Sequence, residues 1–211
     1  MDTVTLADDR LVLSAPTESD VDTITALCQE PVIQEWTTVP SPYTRSDAEG
    51  FVTGMVAAGW AQDKDYTWGI RVDGRLVGMI GLARQPEGSA EIGYWLGADV
   101  RGQGIMDRAI RLVLAWAFDD ADGPRLERIE WHAFAPNWAS WRAAWRVGFR
   151  FEAAVRGAVL QRGRRRDDWA GTLLRDDVRE PVLPWPATGV VVPDPPPDVR
   201  ARDAGSARMA R

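Results

Sequence analysis

The stretch Arg101-Gly102-Gln103-Gly104-Ile105-Met106 has the residue types and spacing to bind a ligand. Glycines at 102 and 104 let the backbone approach a bound group closely, and a helix starting there leaves its first amides without internal partners. Main-chain N–H groups so exposed at a helix N-terminus bind phosphate. The turn is not a P-loop, because no Gly-Lys-Ser/Thr follows. It is not a dinucleotide fingerprint either, because Asp107 stands where the third glycine is required. Taken alone, a short glycine turn is equally consistent with a purely structural role. Other reactive types are scarce. Cys28 is the single cysteine and His132 the single histidine, which excludes an internal disulfide and makes a structural or catalytic metal unexpected. His132 falls in an apolar run and reads as a strand residue rather than a base.

The elements that position this turn follow from periodicity. Arg10 to Ser14 alternates as a strand. Thr17 with Asp20 then opens a helix with Val21, Ile24, Leu27 and Cys28 on one face. A second helix is expected near Ser46, with Glu49 completing a capping box and Phe51, Val52, Met55 and Val56 forming its buried stripe. The prolines between Trp36 and Thr44 make that segment a loop. A meander follows: Tyr66 to Val72, the turn Asp73-Gly74, Arg75 to Leu82, and Glu91 to Leu96. Gly104 to Phe118 reads as a helix with Ile105, Ala109, Leu112, Val113 and Trp116 on one side, and Leu126 to His132 as the next strand, implying a parallel crossover. Asn137 to Arg146 is a further helix closed by Gly148, and strands are expected at Phe149 to Val155 and Asp168 to Leu174.

Length and composition frame these elements. A chain of 211 residues with 45% hydrophobic and 27% charged residues fits one domain. Residues 1–180 carry the periodic pattern. In residues 181–211, which hold seven of the fourteen prolines, the composition shifts to that of an extended tail. No apolar run is long enough for a membrane span, and no signal segment opens the chain, so a cytoplasmic location is expected. The net charge of −6 argues against broad binding to nucleic acid and suits the attraction of cationic amines. Of the eleven tryptophans, Trp116, Trp138, Trp141 and Trp145 are expected to face the core, and Trp36 and Trp95 to wall a cleft. Arg162, Arg164, Arg165 and Arg166 are expected to cover a solvated hairpin.

Read together, Glu91-Ile92-Gly93-Tyr94-Trp95-Leu96, the 101–106 turn, Asn137-Trp138-Ala139-Ser140 and Val147-Gly148-Phe149 resemble the GNAT superfamily of N-acetyltransferases. More narrowly they resemble its ribosomal-protein N-terminal acetyltransferase (RimJ/RimL-like) branch, over residues 8 to 176 and including the Pro40-Ser41-Pro42-Tyr43-Thr44 loop. The resemblance implies an α+β fold. In it a mixed, mostly antiparallel sheet of six to seven strands splays between two parallel central strands, flanked by about four helices. It also implies direct acetyl transfer from acetyl-CoA to a primary amine, most often a protein or peptide N-terminus, without an acyl-enzyme. Trp95, Leu96, Arg101, Gly102, Gln103, Gly104, Ile105, Met106 and Asn137 would hold the CoA. The amides around Trp95 to Gly97 would polarise the thioester oxygen. Trp36, Tyr43 and Tyr94 would line the acceptor side, and no metal is called for.

By the same resemblance, Glu91 is the candidate base, with Asp65 a weaker substitute, and Ser140 the group that gives a proton to the departing thiolate. The plain alternatives are that Glu91 is a hydrated strand-end carboxylate and that Asn137 and Ser140 merely open a helix. The sequence departs from the family pattern twice: Met106 replaces a small residue in the turn, and Ala144 stands where many members carry a tyrosine that protonates the thiolate. A small-molecule amine acceptor such as a polyamine, aminoglycoside or amino-sugar, and a catalytically silent acyl-CoA-binding or partner-binding protein, are the competing expectations. Assembly as a homodimer is left open.

Overall fold

The structure, a computed structural model, describes residues 1–185. Its backbone is one eight-stranded sheet in the order β1-β2-β3-β4-β5-β6-β8-β7. The strands are β1 (Leu6–Ala7), β2 (Val12–Ser14), β3 (Asp65–Val72), β4 (Arg75–Gln85), β5 (Ser89–Leu96), β6 (Arg128–Phe134), β7 (Arg150–Gln161) and β8 (Arg164–Leu174). All neighbours are antiparallel except β5 and β6. The helices are α1 (Val21–Cys28), α2 (Pro31–Trp36), α3 (Arg45–Glu49), α4 (Ala57–Ala61), α5 (Ile105–Ala117) and α6 (Trp138–Arg146). The sheet therefore has one strand more than the upper expectation. The extra one is β1, whose two residues pair with Val12 and Leu13 and are too short to alternate visibly.

The β3–β4 hairpin closes as its Asp-Gly pair demands, with φ of 51° at Asp73 and 74° at Gly74. β4, β7 and β8 run longer than the expected segments because polar residues at their ends still pair in register, as Arg84 does with Ala90 and Arg165 with Leu160. The crossover from β5 to β6 passes through α5, which lays Ile105, Ala109, Ile110, Val113, Leu114 and Trp116 against the sheet. There Trp116 closes an edge-to-face aromatic group with Trp60, Tyr66 and Trp68, all of them buried.

The second expected helix is displaced and its stripe altered. Its cap is Thr44, not Ser46: Asp47 N–H donates to the Thr44 hydroxyl at 3.2 Å, and Thr44 N–H to Asp47 Oδ2 at 2.8 Å. Between α3 and α4 the chain winds as a π-helix over Gly50–Val56. The wider turn keeps residues four apart in line, so Ala48, Val52, Val56 and Trp60 are buried while Met55, three on from Val52, stands 70% exposed. The helix α2 was not anticipated, because it is six residues long and lies next to a proline-rich loop.

The tryptophans divide differently from the expectation. Trp116 and Trp141 are core residues, but Trp138 is 39% exposed and Trp145 only partly buried. The first tail residues cover this face: Trp145 Nε1–H donates to Leu183 O at 2.8 Å, and the Trp185 ring lies 5.3 Å from that of Trp145. The rest of the expected tail, residues 186–211, falls outside the described residues. Of the hairpin arginines, Arg162, Arg164 and Arg165 are exposed as expected, and Arg166 is half-buried. Arg162 donates to Gln34 O and Val39 O, and Arg166 pairs with Glu35 at 3.0 Å while lying over the Trp36 ring. The β7–β8 hairpin thus fastens α2 and its following loop in place.

Candidate active site

The parallel pairing of β5 and β6 runs only from Ser89/Arg128 to Ile92/Trp131, after which the strands part. β4 continues to pair with β5 up to Leu96, and β8 with β6 up to Phe134, so each strand keeps its outer partner and loses its inner one. Two clefts open at the gap. One, of about 530 Å³, lies toward α5 and is lined by Trp95, Leu96, Arg101, Gly102, Gly104, Ile105, Met106, Asn137 and Ser140, with α2 residues Val32, Ile33 and Trp36. The other, of about 610 Å³, lies on the opposite side and is lined by Asp65, Glu91, Gly93, His132, Phe134 and Asp168. Trp36, Thr37, Tyr94, Trp95, Asn137 and Ser140 border both, so the clefts meet through the sheet.

The first cleft is made by the backbone. Gly102 and Gly104 both have φ of 76°, and a Cβ at either would project into empty space with no atom within 4 Å. Among the described residues no acceptor is bonded to the amides of Gly102 to Asp107; the first helical bond is Arg108 N–H to Gly104 O. Free amides, an open concavity and the positive end of a thirteen-residue helix fit a pyrophosphate. The Arg101 side chain serves the turn itself: Nε and Nη2 donate to Leu96 O, and Nη1 pairs with Glu30 at 2.7 Å. The Gln103 side chain donates to Asp99 O and lies outside both clefts, so what this residue offers a ligand is its main-chain amide. Met106 lines the cleft, so the first departure from the family pattern leaves it open. Arg142 and Arg146, unforeseen from sequence, add positive charge along this wall, Arg146 pairing with Asp107 at 3.2 Å.

Of the amides around Trp95 to Gly97 expected to polarise a thioester, only that of Leu96 turns toward the gap. Gly97 N–H donates to Val77 O at 2.9 Å, and the alternation of the antiparallel ladder places Trp95 in the same phase, facing β4. The amides turned toward the gap are those of Tyr94 and Leu96.

At the junction, Asn137 caps α6 by accepting from Ser140 N–H at 3.1 Å. The Ser140 hydroxyl accepts from Trp131 Nε1–H at 2.9 Å and donates to the Tyr94 hydroxyl at 3.3 Å, which in turn donates to Ser140 O at 3.0 Å. Burial pushes the Tyr94 phenol well above its ordinary value, so it stays neutral and holds Ser140 in place. Tyr43, expected on the acceptor side, is instead buried beneath α1 with Val21, Ile24 and Cys28; its ring finds an apolar slot there and touches neither cleft. Burial also pushes the Cys28 thiol up to about 11, which leaves it without nucleophilic thiolate at neutral pH.

The second cleft is made by side chains. Its floor is bare where Gly81 and Gly93 lie opposite each other, and a Cβ on Gly93 would meet nothing within 4 Å. Around this floor stand Asp65, Glu91, His132 and Asp168. His132 is a strand residue, as expected, but its ring faces the cleft, where Nδ1–H donates to Asp168 Oδ2 at 2.6 Å. That hydrogen bond raises the histidine to about 9, against the opposing effect of desolvation. Desolvation raises the Glu91 carboxyl, opposed by the charge of His132. Asp168 had no local signal; it reaches the cleft only because β8 pairs with β6. Among the described residues no cluster of His, Cys, Asp and Glu is arranged to hold a metal, and no helix is long and apolar enough to cross a membrane.

A sheet that parts after one parallel pair, with a glycine turn and helix at the parting, is the architecture of the GNAT class. Residues 10–150 match the family model described as the acetyltransferase (GNAT) domain, and the chain belongs to that family. Among curated proteins of Bacillus subtilis (strain 168) it is similar to YdaF, provisionally named a ribosomal N-acetyltransferase, with 34% identity over 47% of this chain and 54% of that one. It is similar as well to YjcK, provisionally named an N-acetyltransferase, with 33% identity over 55% of this chain and 65% of that one. The matched segment thus spans less than two thirds of either relative. Among solved structures the fold superposes on RimL, a ribosomal L7/L12 α-N-protein acetyltransferase in complex with CoA, at TM-score 0.74 and 22% identity, covering 81% of this chain and 98% of that one. It also superposes on RimJ of Mycobacterium smegmatis at TM-score 0.71 and 20% identity, covering 82% and 86%.

Proposed function

We propose that the protein is an acetyl-CoA-dependent N-acetyltransferase that moves the acetyl group directly to a primary amine, with a protein or peptide N-terminus as the acceptor. The observation that carries this is the pair of clefts meeting through the sheet at Tyr94, Asn137 and Ser140. A thioester whose pyrophosphate rests on the Gly102 to Asp107 amides enters from one side, and an amine enters from the other. The free amides of Tyr94 and Leu96 are available to a pantetheine arm laid along β5 as an added strand, and to the thioester oxygen.

In the reaction the amine nitrogen attacks the carbonyl carbon, the C–S bond breaks and the thiolate takes a proton. Ser140, bordering both clefts, relays to the thiolate the proton that the nitrogen sheds as the C–S bond breaks, in place of the tyrosine missing at Ala144, itself a buried core residue. Freeing the amine costs about 1 kcal/mol at pH 7 for an α-amine and about 4.6 kcal/mol for a lysine. Glu91 takes the proton, and the carboxylates of Asp65 and Glu91 on the cleft rim attract the cationic acceptor. The same rim suits a small polyamine, which is the second reading.

The names of YdaF, a ribosomal N-acetyltransferase, and RimL, a ribosomal L7/L12 α-N-protein acetyltransferase, support the N-terminal choice. Thiol release from acetyl-CoA, measured on free-N-terminus peptides beside a polyamine panel, tests it. Turnover confined to peptides is the expected result. Turnover confined to polyamines selects the second reading, and CoA binding without turnover on any amine removes the enzymatic one.

A further inference from the structure

The side chains of Glu91 on β5, Glu130 and His132 on β6, and Asp168 on β8 share one face of the sheet. Glu91 lies in register with Glu130, His132 follows two residues on, and Asp168 lies in register with Phe134, again two residues from His132. Asp168 is 7% exposed and bonds His132 Nδ1 at 2.6 Å, while Nε2 faces Glu130 at 3.4 Å. Glu130 is itself engaged by Arg128, and Arg166 on β8 is committed to Glu35 and the Trp36 ring. Asp65 on β3 completes the charged groups around this floor. Among the described residues Glu91 bonds none of them.

We propose that His132, locked by Asp168, is a positioning residue for Glu91: a cation fixed in the acceptor cleft that keeps a carboxylate ionised among three other carboxylates. The inference rests on the proposed acetyl transfer, whose proton it assigns. The ammonium of the acceptor gives its proton to the Glu91 carboxylate, leaving a neutral amine whose lone pair attacks, and the Glu91 carboxylic acid then loses that proton to solvent. His132 cannot serve as this base itself near neutral pH, because the bond to Asp168 keeps its ring protonated up to about pH 9. Without its charge, Glu91 is left with burial and the carboxylates of Asp168 and Glu130, all of which oppose its ionisation.

The experiment compares the wild type with His132→Gln, which keeps a donor to Asp168 but carries no charge, and with His132→Lys, which restores the charge. At saturating acetyl-CoA, kcat/KM for a short peptide with a free N-terminus is followed from acid to alkaline pH. The carboxyl titration of Glu91 is read in parallel by carbon NMR, with Glu91→Gln identifying the signal. The expected result is an acid limb and a Glu91 titration moved up by about one pH unit in His132→Gln, both drawn back toward the wild type in His132→Lys, with CoA affinity unchanged in each. An unmoved Glu91 titration in His132→Gln overturns the inference, as does an equal shift in both variants. The NMR titration decides even if no amine is turned over, an outcome that would remove the proposed activity and not the coupling of these two groups.

Discussion

The two clefts that meet at Ser140 are built from different materials. The cleft toward α5 is a backbone device: free amides from Gly102 to Asp107, two left-handed glycines and an apolar wall. The opposite cleft is a side-chain device, with Glu91, His132, Asp168 and Asp65 around a bare glycine floor. A backbone site requires particular residues at fixed local spacing, and it can serve one invariant ligand. A side-chain site is collected from separate strands and can be altered residue by residue without disturbing the other. On the proposed activity, the acetyl donor belongs with the first material and the acceptor with the second.

Substitutions that injure one cleft and spare the other sharpen this contrast. Gly104→Val should have the largest effect. A β-branched residue at φ of 76° is strained, and its side chain fills the concavity, so CoA affinity should fall by about a hundredfold in calorimetry with the fold intact by circular dichroism. A twofold change would break the distinction. Ser140→Ala should lower kcat by about a hundredfold while leaving the Kd for CoA within about twofold; an unchanged kcat across the pH profile removes Ser140 from proton transfer. Gly93→Val raises the acceptor floor, and kcat/KM for the peptide should fall by about tenfold with CoA binding preserved. Loss of CoA binding there would show that the two sides are not separable.

The smallest effect concerns stability. The folded His132 titrates above its ordinary value, so the stabilisation it brings is complete below about pH 6.5 and is lost as pH rises through about 9. The melting temperature of the wild type should exceed that of His132→Gln by about 2 °C at pH 6 and converge with it above pH 9. A constant gap would mean that the bond to Asp168 is not a charge effect.

The same contrast explains what the sequence disclosed. The Asp73-Gly74 turn, the α5 stripe and the 101–106 turn were legible because each rests on local chemistry with a fixed period or a required glycine. Trp95, Leu96, Asn137 and Ser140 followed from the family resemblance that these motifs complete, and the structure gathers them at the parting of β5 and β6. Asp168 and the inward aim of His132 were not legible, since they depend on β8 crossing to pair with β6. Tyr43 was misplaced because an aromatic residue in a proline-rich loop serves a cleft or a core equally well, and only the apolar slot under α1 decides. The helix α2 does carry one local signal, a proline in its first turn at Pro31, too slight beside the following proline-rich loop. The π winding after Glu49 gave none, and it carried Met55 out to solvent.

Amide hydrogen exchange of the segment from Gly102 to Asp107, with and without CoA, tests the central claim most directly. The account predicts that these amides, bonded to no acceptor in the free protein, exchange fast and become strongly protected on CoA binding, together with those of Tyr94 and Leu96. Exchange at Gly102 to Asp107 that is unchanged at saturating CoA would contradict it.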